Sequence, residues 1–345
     1  MKKVFKLFAS CLPVKGAKRF VVCDLQRSEL FIIPEGLYSI LTECEDLSLE
    51  EIKTSFDNQY DTYIDEHFNY LIENELGFFT SEPEKFPKLE IKWEIPELIS
   101  NIIIEANSDS NHPYDLIFDQ LNVVACRFME LRFYEVVDLE VIRSIMILAE
   151  NSKLRNIAIY LPYNTFIPYQ DLDFLLLQFQ RIGSIIIHSV PTSVSIISEN
   201  PIIYYTEDVI INNGSCGQVS SKYFNINMDH YMESQFHNTC LNKKITIDTL
   251  GNIKNCPSLP TIFGNINRTK ILEVLSQNEF TQLWNINKDQ IETCKDCEFR
   301  YICTDCRAFR TENNKIYSKP SKCLYDPYTA EWAFEKEPLL SVGTA

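Results

Sequence analysis

Cys294-Lys-Asp-Cys297-Glu-Phe-Arg-Tyr-Ile-Cys303-Thr-Asp-Cys306 sets four thiols in a C-x2-C-x5-C-x2-C array. Three further cysteines frame it: Cys240 and Cys256 before, Cys323 after. Thiols this crowded are not explained by ordinary packing. Disulfides belong to oxidising compartments, and the cytosol keeps thiols reduced. Zinc takes four thiolates in a tetrahedron, and C-x2-C pairs suit it. A five-residue spacer is short for two separated zinc knuckles, however, and three more thiols are left without a purpose. Soft thiolates in this number also suit iron–sulfur ligation. On spacing alone, iron–sulfur clusters, zinc and buried free thiols all remain open.

Working outward, Cys240 and Cys256 flank an apparent hairpin. Lys244–Asp248 alternates, Gly251 supplies the turn and Ile253 begins the return strand, which brings the two thiols near each other. Ile271–Leu275 and Phe280–Trp284 read as helical packing segments before the dense array.

Upstream, from about residue 97 to 228, apolar strands alternate with helical patterns. Strands are expected at Asn101–Ala106, Phe128–Tyr134, Asn156–Leu161, Ser184–His188, Pro201–Tyr205 and Val209–Ile211. Helices are expected at Tyr114–Ala125, at Leu139–Glu150 capped by Asp138, and at Asp171–Arg181. The alternation predicts an α/β fold with a parallel sheet, a partial barrel or a doubly wound sheet. Working loops in such folds sit at the C-terminal ends of strands. The first is Asn107-Ser-Asp-Ser-Asn-His112-Pro113, whose Asp109 and His112, with Asp115, are candidates for a cation or substrate or, more simply, for helix capping. His188 reads as a structural histidine, and His230 and His237 as a solvated pair on one helix face. No G-x-S-x-G, glycine-rich phosphate loop or H-E-x-x-H occurs.

The first 85 residues read as a three-stranded meander, Val4–Phe8, Arg19–Cys23 and Glu29–Ile33, followed by three helices. Leu37, Ile40 and Leu41 share a face of the first helix. Ser48-Leu-Glu-Glu51 has capping-box spacing and starts the second. Ile64, Phe68, Leu71 and Ile72 recur at helical spacing in the third, which stops at Gly77 before an extended Phe78–Thr80. Residues 86–96 carry two prolines and no clear period, as a linker does.

The formal net charge is −16, and between Pro34 and Lys85 fourteen acidic residues face two basic ones. A phosphate-binding surface needs clustered Lys and Arg, so nucleic acid is excluded as a partner of this segment. No apolar run approaches the ~18–20 residues that span a bilayer. Lys6 interrupts the short apolar start, leaving less than the ~7–15 residues of a signal peptide. A cytoplasmic protein with no membrane association is expected.

The order Cys240-x10-Gly251-x4-Cys256, Cys294-x2-Cys297-x5-Cys303-x2-Cys306, Cys323 resembles the seven-cysteine SPASM domain of peptide-modifying radical enzymes. The final pair is spaced x2 where that family usually has x3. The resemblance implies two auxiliary [4Fe–4S] clusters. Cys294, Cys297, Cys303 and Cys323 would hold one; Cys240, Cys256 and Cys306 would hold the other. The fourth ligand of that other cluster is not fixed by the pattern, and Cys216 in Gly214-Ser-Cys216-Gly217 is the candidate. Zinc in these positions is the alternative.

The middle segment is similar to the barrel of radical S-adenosylmethionine enzymes but lacks their C-x3-C-x2-C loop: Asn107–Pro113 holds no cysteine. Arg132-Phe-Tyr-Glu135 stands where that family has a glycine-rich carboxylate motif. Cleavage of S-adenosylmethionine by this chain alone is therefore not expected. The whole arrangement resembles the SPASM-domain peptide maturase of grasp-with-spasm systems. That resemblance implies a winged-helix-like leader-recognition domain over residues 1–85, a radical SAM-like partial barrel over 97–228, a SPASM domain over 229–330 and a tail over 331–345. It implies as partners a ribosomally made precursor peptide and an ATP-grasp ligase. A non-catalytic adaptor that delivers the precursor, with structural zinc or clusters, is the alternative reading.

Overall fold

Near the N-terminus, aromatic and β-branched residues build four short strands: Val4–Leu7 (β1), Cys11–Lys15 (β2), Phe20–Asp24 (β3) and Glu29–Ile33 (β4). The computed structural model describes residues 2–192, 200–210, 212, 214 and 216–333. It divides the chain into two units: residues 1–93, 217–239 and 285–345, and residues 94–216 and 240–284.

In the first unit the meander differs from expectation. The three-stranded sheet is β2-β3-β4, and β1 instead pairs antiparallel with Gly77–Thr80 (β5). Pro13 hides β2 from a sequence reading, because proline cannot donate to a ladder. It is tolerated here because β2 is an edge strand. All five residues of β3 are buried, since both faces of the sheet are covered. Phe20 and Val22 join one core with Leu37, Ile64 and Leu71. Val21 and Cys23 join another with Tyr231, Phe299, Ile302 and Tyr325. The N-terminal sheet thus packs directly against residues that interleave with the cysteine array.

Three helices follow as the patterns require. Glu35–Glu43 (α1) starts after Pro34 and buries Leu37, Ile40 and Leu41. Leu49–Ser55 (α2) carries the capping box: Ser48 N donates to Glu51 Oε2 at 2.7 Å and Glu51 N to Ser48 Oγ at 3.4 Å. Asp61–Glu73 (α3) buries Ile64, Phe68 and Leu71, while Ile72 points outward.

The second unit alternates Asn101–Ala106 (β6), Tyr114–Val123 (α4), Phe128–Phe133 (β7), Leu139–Ala149 (α5), Asn156–Pro162 (β8), Tyr169–Gln178 (α6), Ile182–His188 (β9) and Ile203–Tyr205 (β10). The hairpin Lys244–Ile247 (β11) and Asn252–Lys254 (β12), with Gly264–Asn265 (β13), completes an eight-stranded sheet ordered β10-β9-β8-β7-β6-β11-β12-β13. Strands β6 to β10 are parallel and follow in chain order without a reversal, so this sheet is wound in one direction rather than doubly wound. Residues of all three helices share one core with Ile102, Ile104, Met129, Leu131, Ile157 and Ile159. The alternate residues of those strands therefore form a separate, opposite face.

Two sequence expectations shift. Val209 and Ile210 are not in a strand, and Ile211 lies outside the described residues. Instead Thr206 O and Asp208 O accept bonds from Val190 N and Ser189 N. The cysteine hairpin joins the middle unit, because β11 runs parallel to β6 with Ile245 opposite Ile102. Residues 334–345 of the expected tail also lie outside the described residues. Among those described, no helix is long and apolar enough to cross a membrane.

Ile104 is fully buried, whereas Val123 on α4 is 62% exposed. Ile104→Ala should cost about 2–5 kcal/mol and Val123→Ala less than about 0.5 kcal/mol, measured by urea unfolding.

Candidate metal centre

Local turns gather the dense array. Thr293 adopts a left-handed φ of 68° and leads into a tight turn over Cys294–Asp296, closed by Cys297 N donating to Cys294 O at 3.0 Å. A second turn, with Cys303 N donating to Phe299 O at 3.0 Å, carries the chain to the next thiol. Beyond Cys306 the chain folds back: Thr311 N donates to Lys319 O and Ser321 N to Phe309 O. Arg307, fully buried, fastens that return through Ser318 O at 2.9 Å and Asp305 Oδ1 at 3.0 Å. Cys323 follows it.

These turns bring Cys294, Cys297, Cys303 and Cys323 close enough that Cys294 feels Cys303 and Cys323, and Cys297 feels Cys303 and Cys294. Burial pushes Cys294 up to about 12 and raises Cys297 and Cys303 as well. Thiols so desolvated ionise only beside positive charge, which a bound metal supplies. Lys288 adds a fixed cation. It is buried, donates from Nζ to Thr304 O at 3.1 Å, and lies beside Cys303, Cys294 and Asp305.

The second unit holds another thiol group. The hairpin seats Cys240 and Cys256 within reach of each other's charge, and burial pushes Cys256 up to about 12. Gly251 makes the turn at φ 81°, a left-handed conformation that glycine adopts freely. Lys244, half-buried on β11, holds Nζ 3.9 Å from Cys240 Sγ. On β7, Arg132 donates from Nη1 to Cys216 Sγ at 3.3 Å and from Nε to Glu130 Oε2 at 2.8 Å. Lys244 also interacts with Glu130 and Arg132, so these groups share one polar neighbourhood.

Cys306, within the first unit, is buried against Gly217: a Cβ built there would stand 2.8 Å from Cys306 Sγ. Gly217 immediately follows Cys216 in the chain.

The strand face opposite the helix core was not singled out in the sequence as a site. Registry puts Glu105, Arg132 and Tyr160 side by side, with Glu130 one layer away. Tyr134 donates its hydroxyl to Glu105, whose carboxyl burial holds above the ordinary range. Arg132 lies over the Tyr160 ring at 5.4 Å. The signal was available in the alternation of Phe-Met-Glu130-Leu-Arg132-Phe.

The histidines and the first loop do simpler work. His112 bonds Glu105 O at 2.8 Å through Nε2, and Asp109 and Asp115 remain in the loop and first turn of α4. His188 bonds Phe133 O at 3.2 Å and Ser189 Oγ at 3.0 Å, the structural role expected of it. His230 and His237 are not the solvated pair of the sequence reading. The helix Met228–Phe236 ends before His237, and burial lowers His230 to about 4. Among the described residues, no three His, Cys, Asp or Glu side chains converge as a ready-made single-ion site.

Two cavities accompany these centres. One of about 270 Å³ in the first unit is lined by Phe5, Leu7, Pro13, Leu41, Phe86 and Ile91. Another of about 240 Å³ lies at the C-terminal ends of β8 and β9, among Tyr163, Ile167, Tyr169, Ile187 and Tyr205.

Residues 239–298 match the SPASM family, an iron-sulfur cluster-binding domain. The matched stretch contains Cys240, Cys256, Cys294 and Cys297, so this part of the chain is an iron–sulfur cluster-binding region, and the match gives zinc no support. The donor set fits in kind: none of the seven array cysteines, nor Cys216, is held in a disulfide. No curated protein matches the chain. Among solved structures, Streptococcus suis SuiB bound to its precursor peptide SuiA is similar over 93% of this chain and 98% of that one. Identity is 11% and the TM-score 0.37, too low for the likeness to bear on function.

Burial lowers His188 below its ordinary value of 6.5. As pH falls through that value the unfolded chain takes up the proton first, so the penalty is absent above it and grows below it. Urea midpoints at about pH 7.5 and about pH 5.5 should therefore differ less in His188→Gln than in the wild type.

Proposed function

We propose that this protein is a maturase or maturation accessory for a ribosomally synthesised, post-translationally modified peptide. The observation that carries the reading is the SPASM match over residues 239–298, a stretch that contains Cys240, Cys256, Cys294 and Cys297. Cys294, Cys297, Cys303 and Cys323 would hold one [4Fe–4S] cluster. Cys240, Cys256, Cys306 and Cys216 would hold a second. Bound clusters held by four cysteines each would supply electron transfer. The protein's own residues desolvate the thiols, fix their spacing through the paired turns, and place Lys288, Lys244 and Arg132 beside them.

The first unit would bind the leader of the precursor. The apolar cavity beside β1, with β1 and β5 forming a separate two-stranded ribbon, offers side-chain pockets next to strand edges. Such edges accept an extended peptide through main-chain bonds. The cavity among Tyr163, Tyr169 and Tyr205 sits where parallel sheets carry working loops, and would receive the segment to be modified. An ATP-grasp ligase would act on the same precursor, in the cytoplasm. No nucleic acid or membrane takes part.

One observation favours a non-catalytic adaptor as the second reading. The Asn107–Pro113 loop has no cysteine, and His112 within it is bonded to Glu105 O. The chain thus has no thiol set there to hold a radical-generating cluster. Incubation with S-adenosylmethionine and dithionite should yield no 5′-deoxyadenosine; its formation contradicts this account of the loop.

Precursor modification in cells carrying the ligase separates the two readings. With Cys294→Ala and Cys297→Ala combined, the maturase reading expects the modified product to disappear while precursor is still captured. Unchanged product rules out a role for the first cluster in the reaction.

A glycine provides a narrower check. Gly217 combines a left-handed φ of 78° with contact on Cys306 Sγ, so any side chain there is both strained and crowded. Gly217→Ala should retain the cluster of Cys294, Cys297, Cys303 and Cys323 and lose the other, halving iron per chain.

A further inference from the structure

A buried ammonium group is costly unless anions or acceptors surround it. Lys288 is 4% exposed, yet the nearest carboxylate that it feels, Asp305, is already engaged. Arg307 Nε donates to Asp305 Oδ1 at 3.0 Å and Asn238 Nδ2 to Asp305 Oδ2 at 2.7 Å. Beside Lys288 stand the backbone carbonyl Thr304 O and the thiols of Cys303 and Cys294.

The second thiol group repeats the arrangement on a different scaffold. Lys244 Nζ lies 3.9 Å from Cys240 Sγ, with Cys256 next to it. Its neighbouring carboxylate, Glu130, is taken by Arg132. Arg132 in turn directs its Nη1 at Cys216 Sγ. Each thiol group thus has a lysine whose ammonium group lies beside its cysteines. One lysine comes from a short turn, Lys288–Gln290, and the other from a sheet strand, so a single local motif does not account for both.

A [4Fe–4S] cluster held by four thiolates is an anion, and reduction adds a further negative charge. Its potential follows net charge and hydrogen bonding at the sulfurs. We propose that Lys288 and Lys244 are resident counter-cations, one for each cluster, that favour the reduced state of the cluster beside them. Lys288 serves the Cys294, Cys297, Cys303 and Cys323 set; Lys244, assisted by Arg132, serves the set containing Cys240 and Cys256. The inference rests on the two-cluster reading above. Each lysine offsets one unit of negative charge on the cluster beside it, and because the two lysines belong to different elements each cluster is set independently.

The test is an EPR-monitored redox titration of the full chain, purified anaerobically and reduced with dithionite, with iron and sulfide measured on each sample. Lys288→Met should move the midpoint of one cluster signal to more negative potential and leave the other in place. Lys244→Met should do the reverse. Lys288→Arg and Lys244→Arg, which keep the charge, should stay near the wild type. Loss of one cluster's iron in a methionine variant, with retention in its arginine partner, also supports a charge role. Full iron with unmoved midpoints in both methionine variants overturns the inference, as does equal iron loss in the methionine and arginine variants. A wild-type chain without iron and sulfide overturns the cluster reading itself, before any variant is made.

Discussion

Desolvated thiols are the constraint on which this structure turns. Burial pushes Cys256 and Cys294 up to about 12 and raises Cys297 and Cys303. In that state a cysteine is a poor ligand and a poor nucleophile. Only positive charge brought to the sulfurs reverses the cost. Lys288, Lys244 and Arg132 lie beside the sulfurs and supply part of that charge, and under the proposed reading an iron–sulfur cluster would supply the rest. Arg307 and Asp305, themselves buried, hold the loop between Cys306 and Cys323 closed so that the last thiol returns to the array.

The two units contribute differently to this chemistry. In the first, β3 is covered on both faces, by helices on one side and by Tyr231, Phe299, Ile302 and Tyr325 on the other. The sheet that carries the N-terminal cavity is therefore continuous in packing with the residues between Cys297 and Cys303. In the second, a one-directional parallel sheet keeps its aliphatic face for the helices and turns Glu105, Glu130, Arg132 and Tyr160 to the opposite face. The cysteine hairpin joins this sheet through β11 and β6, which puts Lys244 near Arg132.

Much of this was legible in the chain. The strand–helix alternation, the capping box at Ser48, the cap at Asp138 and the Gly251 hairpin all follow from local rules, because each depends on residues a few positions apart. What escaped depends on distant partners. Pro13 disguised β2, since only its edge position makes proline acceptable there. The pairing of β1 with β5 bridges three helices and leaves no local trace. His230 and His237 read as a helix pair until the helix proved to end at Phe236. Thiol spacing showed that metal was to be expected, but Lys288 and Lys244 gain meaning only from where burial puts their ammonium groups.

The most direct measurement is the iron, zinc and acid-labile sulfide content of the chain purified without oxygen. Two [4Fe–4S] clusters require about eight irons and about eight sulfides per chain, with no stoichiometric zinc. One or two zincs without sulfide would contradict the account at its base.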